Sequence, residues 1–134
     1  MTNKARGGCL CGTIRFQFEL PTLWCAHCHC SLCRRAHGAG VVTWVGVAST
    51  GFVITTGEES LTRYRSSTEA LRSFCSQCGS TLFFESQKWP GEVHVALANV
   101  STAIDRLPAR HVFTENHADW IPLWDITTMK NRVH

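Results

Sequence analysis

The chain has 134 residues, of which 44% are hydrophobic and 17% are charged, and its formal net charge is +3. This composition excludes a disordered chain, and the length suits one domain over residues 1–134. The mild, scattered positive charge lacks the clustered basic face of a nucleic-acid-binding protein. The longest apolar run, near residues 40–48, is far shorter than the ~20 residues of a membrane span, so we expect neither nucleic acid nor a membrane as a partner.

β-rich segments separated by turn residues dominate the chain. Residues 13–19, Thr-Ile-Arg-Phe-Gln-Phe-Glu, alternate apolar and polar side chains, which indicates a half-buried strand. Further β-rich runs are found at residues 41–47, 52–56, 61–65, 71–74, 81–85 and 92–98. A short helix is predicted only at residues 31–37, with Ser31 as its N-cap and Gly38 as its stop. The pattern predicts a mainly β protein with antiparallel sheets and at most one short helix.

Eight cysteines are an unusual number for this length. In a secreted domain, an even count suggests a disulfide framework. The polar N-terminal residues, Met-Thr-Asn-Lys-Ala-Arg-Gly-Gly, contain no apolar region of the kind a signal peptide needs. We therefore expect the cytoplasm, a reducing compartment in which metal binding explains the cysteines better than disulfides do.

The first group of cysteines consists of two half-sites that are far apart in sequence. Cys75 and Cys78 form a C-x-x-C-G turn, and Cys9 and Cys11 form a C-x-C-G turn. Four thiolates complete a tetrahedral shell, so this set predicts a structural zinc site. The alternatives are four separate thiols, or a redox pair at Cys75 and Cys78, although the βαβ context of a thioredoxin-like motif is missing.

The second group is Cys28, Cys30 and Cys33. Three protein ligands with an exchangeable fourth position are typical of a catalytic zinc, which lowers the pKa of a bound thiol or water. One alternative is that Cys25, at C-x-x-C spacing from Cys28, closes a second inert site. An iron–sulfur cluster is a further alternative, although the C-x-C spacing suits it poorly.

Two polar residues on the predicted helix are candidates for ligand binding. Arg34 follows the last cysteine, and its guanidinium suits a thiolate or a carboxylate. His37 lies four residues after Cys33 on the same helical face, where it is a candidate fourth ligand or proton shuttle. The alternatives are a solvated helix face and an ordinary packed histidine. His27 and His29 are predicted to point away from the neighbouring cysteines in an extended segment.

Three motifs together resemble one known family. They are Gly-Cys-Leu-Cys-Gly-Thr-Ile-Arg-Phe at residues 8–16, Cys-His-Cys-Ser-Leu-Cys-Arg-Arg-Ala-His-Gly-Ala at residues 28–39, and Phe-Cys-Ser-Gln-Cys-Gly-Ser-Thr-Leu-Phe-Phe at residues 74–84. In this order they are similar to the glutathione-dependent formaldehyde-activating enzyme family. Cys25 is an addition to that pattern.

The resemblance implies a β-tent fold of coiled antiparallel sheets and two zinc ions. One zinc would be structural, and the other would be labile and would bind a glutathione thiol. The implied ligands are Cys9, Cys11, Cys75 and Cys78 for the structural zinc, and Cys28, Cys30 and Cys33 for the labile one.

The predicted function is therefore a zinc-dependent carbon–sulfur lyase. It would add a small thiol, such as glutathione, to an aldehyde such as formaldehyde, or release it. The alternative is a zinc-stabilised binding module or thiol carrier without catalysis of its own. The motifs of this sequence predict no particular oligomeric state.

Overall fold

The computed structural model describes residues 3–126 of the chain, in which ten strands and one α-helix are found. The helix, α1, spans Ser31–His37. The strands are β1 Lys4–Gly8, β2 Arg15–Glu19, β3 Trp24–Cys28, β4 Val42–Ala48, β5 Phe52–Thr56, β6 Leu61–Arg65, β7 Ala70–Cys75, β8 Thr81–Ser86, β9 Glu92–Ala96 and β10 His111–Val112.

The strands form two sheets. The smaller sheet has the order β1-β2-β5, and the larger has the order β10-β3-β4-β9-β8-β7-β6. Neighbouring strands are antiparallel, apart from the short parallel pair of β10 and β3. The prediction of a mainly β protein with antiparallel sheets and one short helix is confirmed.

Helix α1 has the predicted span, but its cap differs from the prediction by one residue. The N-cap is Cys30, and no side chain caps the helix. The Cys30 carbonyl accepts the first helical hydrogen bond, from the Arg34 N–H at 3.0 Å. Gly38 ends the helix with φ +60°, a left-handed conformation that glycine adopts without strain. The helix therefore begins on a residue of the second cysteine group.

Two apolar clusters form the interior. The larger draws on both sheets and includes Phe16 and Phe18 of β2 and Phe83 of β8. The smaller lies where α1 meets the larger sheet, and it contains Cys28, Cys33, Val42, Trp44 and Ala96. Because alternate residues of a strand face opposite sides, β3 contributes to both clusters.

Strands β1, β3 and β10 are not among the strands predicted from the sequence. The buried positions of β1 are Ala5 and Gly7, so the strand has no large apolar side chain to reveal it. A Cβ atom at Gly7 would lie 2.2 Å from the Asn99 carbonyl oxygen, so the close contact between these segments requires glycine. Strand β10 has two residues and exists only because β3 lies beside it.

Within residues 3–126, no helix combines the length and apolar character needed to cross a bilayer.

Candidate metal and thiol sites

The four predicted structural cysteines meet at one point between the two sheets. The Sγ atoms of Cys9, Cys11, Cys75 and Cys78 all lie within 4.8 Å of one another, so the group can hold a metal ion. The Cys11 Sγ lies 3.6 Å from that of Cys9 and 3.9 Å from that of Cys75. Cys9 and Cys11 lie between β1 and β2 of the smaller sheet, whereas Cys75 ends β7 of the larger one. An ion held here would join the two sheets.

Backbone geometry directs these thiols toward each other. The Ile14 N–H donates to the Cys9 Sγ at 3.3 Å, and the Gln77 N–H donates to the Cys75 Sγ at 3.4 Å. Gly12 and Gly79, one after each cysteine pair, have φ near +80°. That left-handed conformation reverses the chain at low cost only for glycine. The glycine in each motif is therefore part of the reason that the thiols converge.

Hydroxyl groups make two of these thiols more acidic. Hydrogen bonding to Thr13 lowers the pKa of Cys11. Hydrogen bonding to Ser80 lowers the pKa of Cys78 to about 5. Burial raises the pKa of Cys75 to about 11. The cluster therefore combines thiols that ionise readily with one that needs a nearby cation to ionise.

The second cysteine group lines a cavity of about 430 Å³, which we call the thiol cavity. Cys28 ends β3, Cys30 is the N-cap of α1, and Cys33 lies one turn into that helix. The Cys28 and Cys33 side chains lie close enough to shift each other's pKa. Within residues 3–126, only the four-cysteine cluster brings three or more ligand atoms within 4.8 Å of one another. The second group is therefore the more open of the two.

Arg72 of β7 is the main residue of this cavity that the sequence analysis missed. Its side chain is 9% exposed, and Nη1 and Nη2 lie 3.7 and 3.6 Å from the Cys33 Sγ. The guanidinium also lies 4.8 Å from the centre of the Phe84 ring. No ion pair within residues 3–126 includes Arg72. A buried cation whose polar contact is a thiol strongly favours the thiolate form.

The pKa values of Cys28 and Cys33 are shifted in opposite directions. Their mutual hydrogen bond, followed by the charge of Arg72 and a hydrogen bond from Trp44, lowers the pKa of Cys33. The same mutual hydrogen bond, together with burial, raises the pKa of Cys28. Cys33 is therefore the member of the pair that ionises first, with Cys28 as its hydrogen-bond donor.

The walls of the thiol cavity are largely apolar, with basic side chains and one glutamate, Glu69, among them. The polar side chains include Arg72, Lys88, Arg110 and His94. The aromatic side chains are Trp24, Trp44, Phe84, Trp89 and Phe113. A concave, largely apolar site with a few polar groups is typical of small-molecule binding.

Cys25 faces away from the thiol cavity. It is 2% exposed and belongs to the larger apolar cluster, whereas Cys28 belongs to the smaller one. Burial raises the pKa of Cys25 to about 11, and the charged groups that act on it are Arg106 and Asp105. Its three-residue offset from Cys28 places the two side chains on opposite faces of β3. This arrangement favours three cysteine ligands over four in the second group.

The two predicted helix residues do not line the thiol cavity. The Arg34 Nη2 donates to the Asn116 carbonyl at 2.9 Å, which ties α1 to the segment after β10. The His37 ring packs edge-on against Trp44, with 5.0 Å between ring centres, and lines a separate cavity of about 480 Å³. Burial lowers the pKa of His37 to about 4. A role for either residue in ligand binding stays a prediction.

His27 and His29 point away from the thiols, as predicted. The His27 Nδ1 lies 2.8 Å from the Thr43 hydroxyl, and the His29 Nε2 lies 2.8 Å from the His111 Nδ1.

Together, a mainly β fold, a closed four-thiol cluster that could hold a metal ion and an open cavity with three further thiols define a class of cysteine-rich protein. The sequence profile of the glutathione-dependent formaldehyde-activating enzymes matches residues 4–116. This chain belongs to that family, and the prediction of an enzyme of this type is confirmed.

Individual proteins agree with the family match. A Halomonas elongata protein, named provisionally as a glutathione-dependent formaldehyde-activating enzyme, is 32% identical over 126 residues, which cover 87% of this chain and 79% of that protein. A Schizosaccharomyces pombe protein described as an uncharacterized lyase is 35% identical over 85 residues, which cover 58% of this chain and 55% of that one. The crystal structure of a Rhodobacter sphaeroides protein has a TM-score of 0.66 and 26% identity, and the match covers 80% of this chain and 99% of that one.

Proposed function

We propose that this protein binds a small thiol such as glutathione in the thiol cavity and catalyses its addition to an aldehyde such as formaldehyde, and the reverse cleavage. The observation that carries the proposal is the contact of buried Arg72 with Cys33 in a cavity lined by Cys28 and Cys30. The family's name supports the choice of glutathione and formaldehyde.

We infer that the four-cysteine cluster holds a structural zinc ion. A regular tetrahedron with Zn–S distances of about 2.3 Å has sulfur–sulfur edges of about 3.8 Å. The separations of 3.6 and 3.9 Å around Cys11 fit this geometry. The four thiols complete the coordination shell, so this ion would have no position left for substrate.

Cys28, Cys30 and Cys33 are the proposed ligands of a second, exchangeable zinc. Three thiols suit this metal, and a zinc bound by three protein ligands keeps a fourth position for an incoming sulfur. Such an ion would hold the substrate sulfur as a thiolate at neutral pH. Arg72 balances part of the negative charge of these thiolates, and Lys88 and Arg110 in the cavity wall suit the carboxylates of glutathione.

The proposed reaction forms one carbon–sulfur bond. The thiolate sulfur attacks the aldehyde carbon, and the carbonyl electron pair moves to oxygen, which then takes a proton. The product is an S-hydroxymethyl adduct when the aldehyde is formaldehyde. In reverse, the hydroxyl loses its proton, the carbonyl forms again, and the electron pair of the carbon–sulfur bond returns to sulfur.

We place this chemistry in the cytoplasm, because free thiols and thiolate-bound metal persist best in a reducing compartment.

Native mass spectrometry with and without glutathione tests the proposal. We expect two zinc ions in the wild-type protein and a glutathione adduct that is absent from Cys30→Ala, with the same circular dichroism spectrum for both proteins. Cys25→Ala is the matched control, because that thiol faces the larger apolar cluster, and it should keep the adduct. Unfolding of Cys30→Ala, or an adduct equal to that of the wild-type protein, would contradict the proposal.

A further inference from the structure

A histidine–glutamate pair forms part of the thiol-cavity wall. His94 of β9 lines the cavity and is 6% exposed. Its Nε2 lies 2.9 Å from the Glu92 Oε1, and the Trp24 Nε1 donates to the same oxygen at 3.1 Å. The His94 ring packs edge-on against Trp24, with ring centres 4.6 Å apart and an interplanar angle of 85°. The imidazole is therefore held in one orientation.

These contacts fix the tautomer of His94. An ionised carboxylate only accepts hydrogen bonds, so the proton between His94 and Glu92 belongs to the His94 Nε2. In the neutral ring, Nδ1 then carries a lone pair and no hydrogen. Within residues 3–126, the hydrogen bond of the His94 ring is made by Nε2. Burial lowers the pKa of His94 despite the nearby Glu92, so the free protein keeps the neutral ring at pH 7.

Two other aromatic rings complete the surroundings of His94. The rings of Trp89 and Phe84 have centres 5.4 and 5.7 Å from that of His94. The guanidinium of Arg72, which also touches Cys33, lies over the same Phe84 ring. One aromatic ring thus contacts both the histidine and the arginine of the thiol group. The histidine and the thiols belong to one continuous cavity wall.

We propose that His94 is the proton carrier of the thiol cavity, with its Nδ1 accepting the hydroxyl proton of an S-hydroxyalkyl adduct and returning it in the reverse direction. This inference rests on the proposed function. Glu92 is a positioning residue that acts through His94, because it holds the ring in the tautomer with a free Nδ1. The arrangement parallels the general principle that a carboxylate orients the histidine that transfers the proton.

The proton balance gives such a carrier one proton to move. A thiol that enters as S–H loses one proton on becoming a thiolate, and the alkoxide formed by its attack on the aldehyde gains one. The net reaction moves one proton from sulfur to oxygen and consumes no other reactant. In the cleavage direction, Nδ1 takes the hydroxyl proton while the carbonyl re-forms and the carbon–sulfur electron pair returns to sulfur.

Nitrogen NMR of the ¹⁵N-labelled wild-type protein tests the geometry without any substitution. We expect His94 to be the Nε2–H tautomer in the free protein, and we expect its Nδ1 resonance to shift when glutathione and formaldehyde are added together. S-methylglutathione, which lacks the hydroxyl group, is the matched ligand and should leave that resonance in place. An Nδ1–H tautomer, or no shift with the hydroxymethyl adduct, would overturn the inference.

Exchange spectroscopy then measures the rate at which the adduct forms and breaks down. General acid–base catalysis contributes about 100-fold or more, so His94→Gln should lose most of the acceleration while still binding glutathione in the native mass spectrum. His27→Gln is the matched control, since that histidine is also buried but bonds to Thr43 on the other face of β3. Equal acceleration by His94→Gln and the wild-type protein would overturn the inference. An absence of acceleration by the wild-type protein would instead contradict the proposed function, and the NMR titration would then decide the role of His94.

Discussion

The two cysteine groups use the same kind of ligand atom in opposite ways. In the four-cysteine cluster, the thiols lie within 4.8 Å of one another, and backbone N–H groups hold the sulfurs of Cys9 and Cys75. In the second group, Cys28 and Cys33 meet each other and Arg72 at the wall of a cavity of about 430 Å³. The first arrangement suits an ion with a complete coordination shell that joins the two sheets, and the second leaves room for a ligand.

The difference between the two groups shows how local backbone geometry determines whether cysteine side chains converge on one point. C-x-x-C-G and C-x-C-G turns aim both sulfurs of a pair at one point, and the glycine with φ near +80° allows the reversal. The second group instead spans the end of a strand and the start of a helix, where the three side chains leave from different elements. Its geometry is therefore open on the side of the cavity.

The largest expected effect separates the groups by their contribution to folding. Cys75→Ser should abolish cooperative unfolding, because structural zinc contributes about 10–16 kcal/mol in zinc-finger peptides, which is comparable with the whole stability of a small domain. Cys30→Ser should still unfold cooperatively. Thermal unfolding followed by circular dichroism compares the two variants, and equal melting behaviour would remove the distinction between the groups.

Acid should lower the stability of the folded protein through His37, the last residue of α1. Burial lowers its folded-state pKa to about 4 from an ordinary value of 6.5, so the unfolded chain binds its proton first as the pH falls. Stability is therefore lost as the pH falls below 6.5, by about 2 kcal/mol between pH 6.5 and pH 5.

Urea unfolding of the metal-loaded protein at pH 7 and pH 5 measures this loss. His37→Gln cannot take up the proton and should show a correspondingly smaller difference between the two pH values. The same difference for both proteins would show that His37 is not the group responsible.

Removal of the Arg72 charge should change the reactivity of the thiol cavity. Arg72→Met should raise the pKa of Cys33, because the second-largest influence that keeps this pKa low, after the Cys28 hydrogen bond, is the guanidinium charge. Burial-independent interactions hold the Cys33 pKa at about 5, so the assay is run at pH 5. The rate of iodoacetamide alkylation of the metal-free protein at this pH should fall, by up to about tenfold for each unit of pKa increase, because only the thiolate reacts. Arg34→Met removes an arginine that does not line the cavity and should leave the rate unchanged. A similar fall in both variants would point to net charge rather than to the contact.

Cys25→Ala should have the smallest effect. It removes one buried sulfur from the larger apolar cluster, so we expect a stability loss of about 1 kcal/mol. Zinc content by elemental analysis should match that of the wild-type protein. The loss of a zinc ion from this variant would show that Cys25 is a ligand after all.

The sequence predicts the elements that depend on local pattern and misses those that depend on distant partners. The alternation at residues 13–19 and the Ser31–His37 helix have local signals, and the structure confirms both, with the strand beginning at Arg15. The cysteine spacing also identifies the four-cysteine cluster, because each turn carries its own geometry. Strand β10 exists only through pairing with β3, so no local pattern reveals it.

The candidate site shows the same limit. Arg72 lies within a predicted strand, but its contact with Cys33 spans 39 residues of sequence, and an arginine in a strand ordinarily faces solvent. The position of Cys25 on the opposite face of β3 from Cys28 likewise depends on that segment being an extended strand. The dense cysteine motif hides the strand pattern in the sequence. Long-range packing, and not residue type, determines which side chains share the cavity.

Zinc release to a chromophoric chelator, followed together with circular dichroism, tests the difference between the two groups most directly. We expect two phases: one ion that leaves quickly without loss of β structure and is missing from Cys30→Ser, and one that leaves slowly as the protein unfolds. Release of both ions in a single phase that accompanies unfolding would contradict an open second site, because both groups would then be structural.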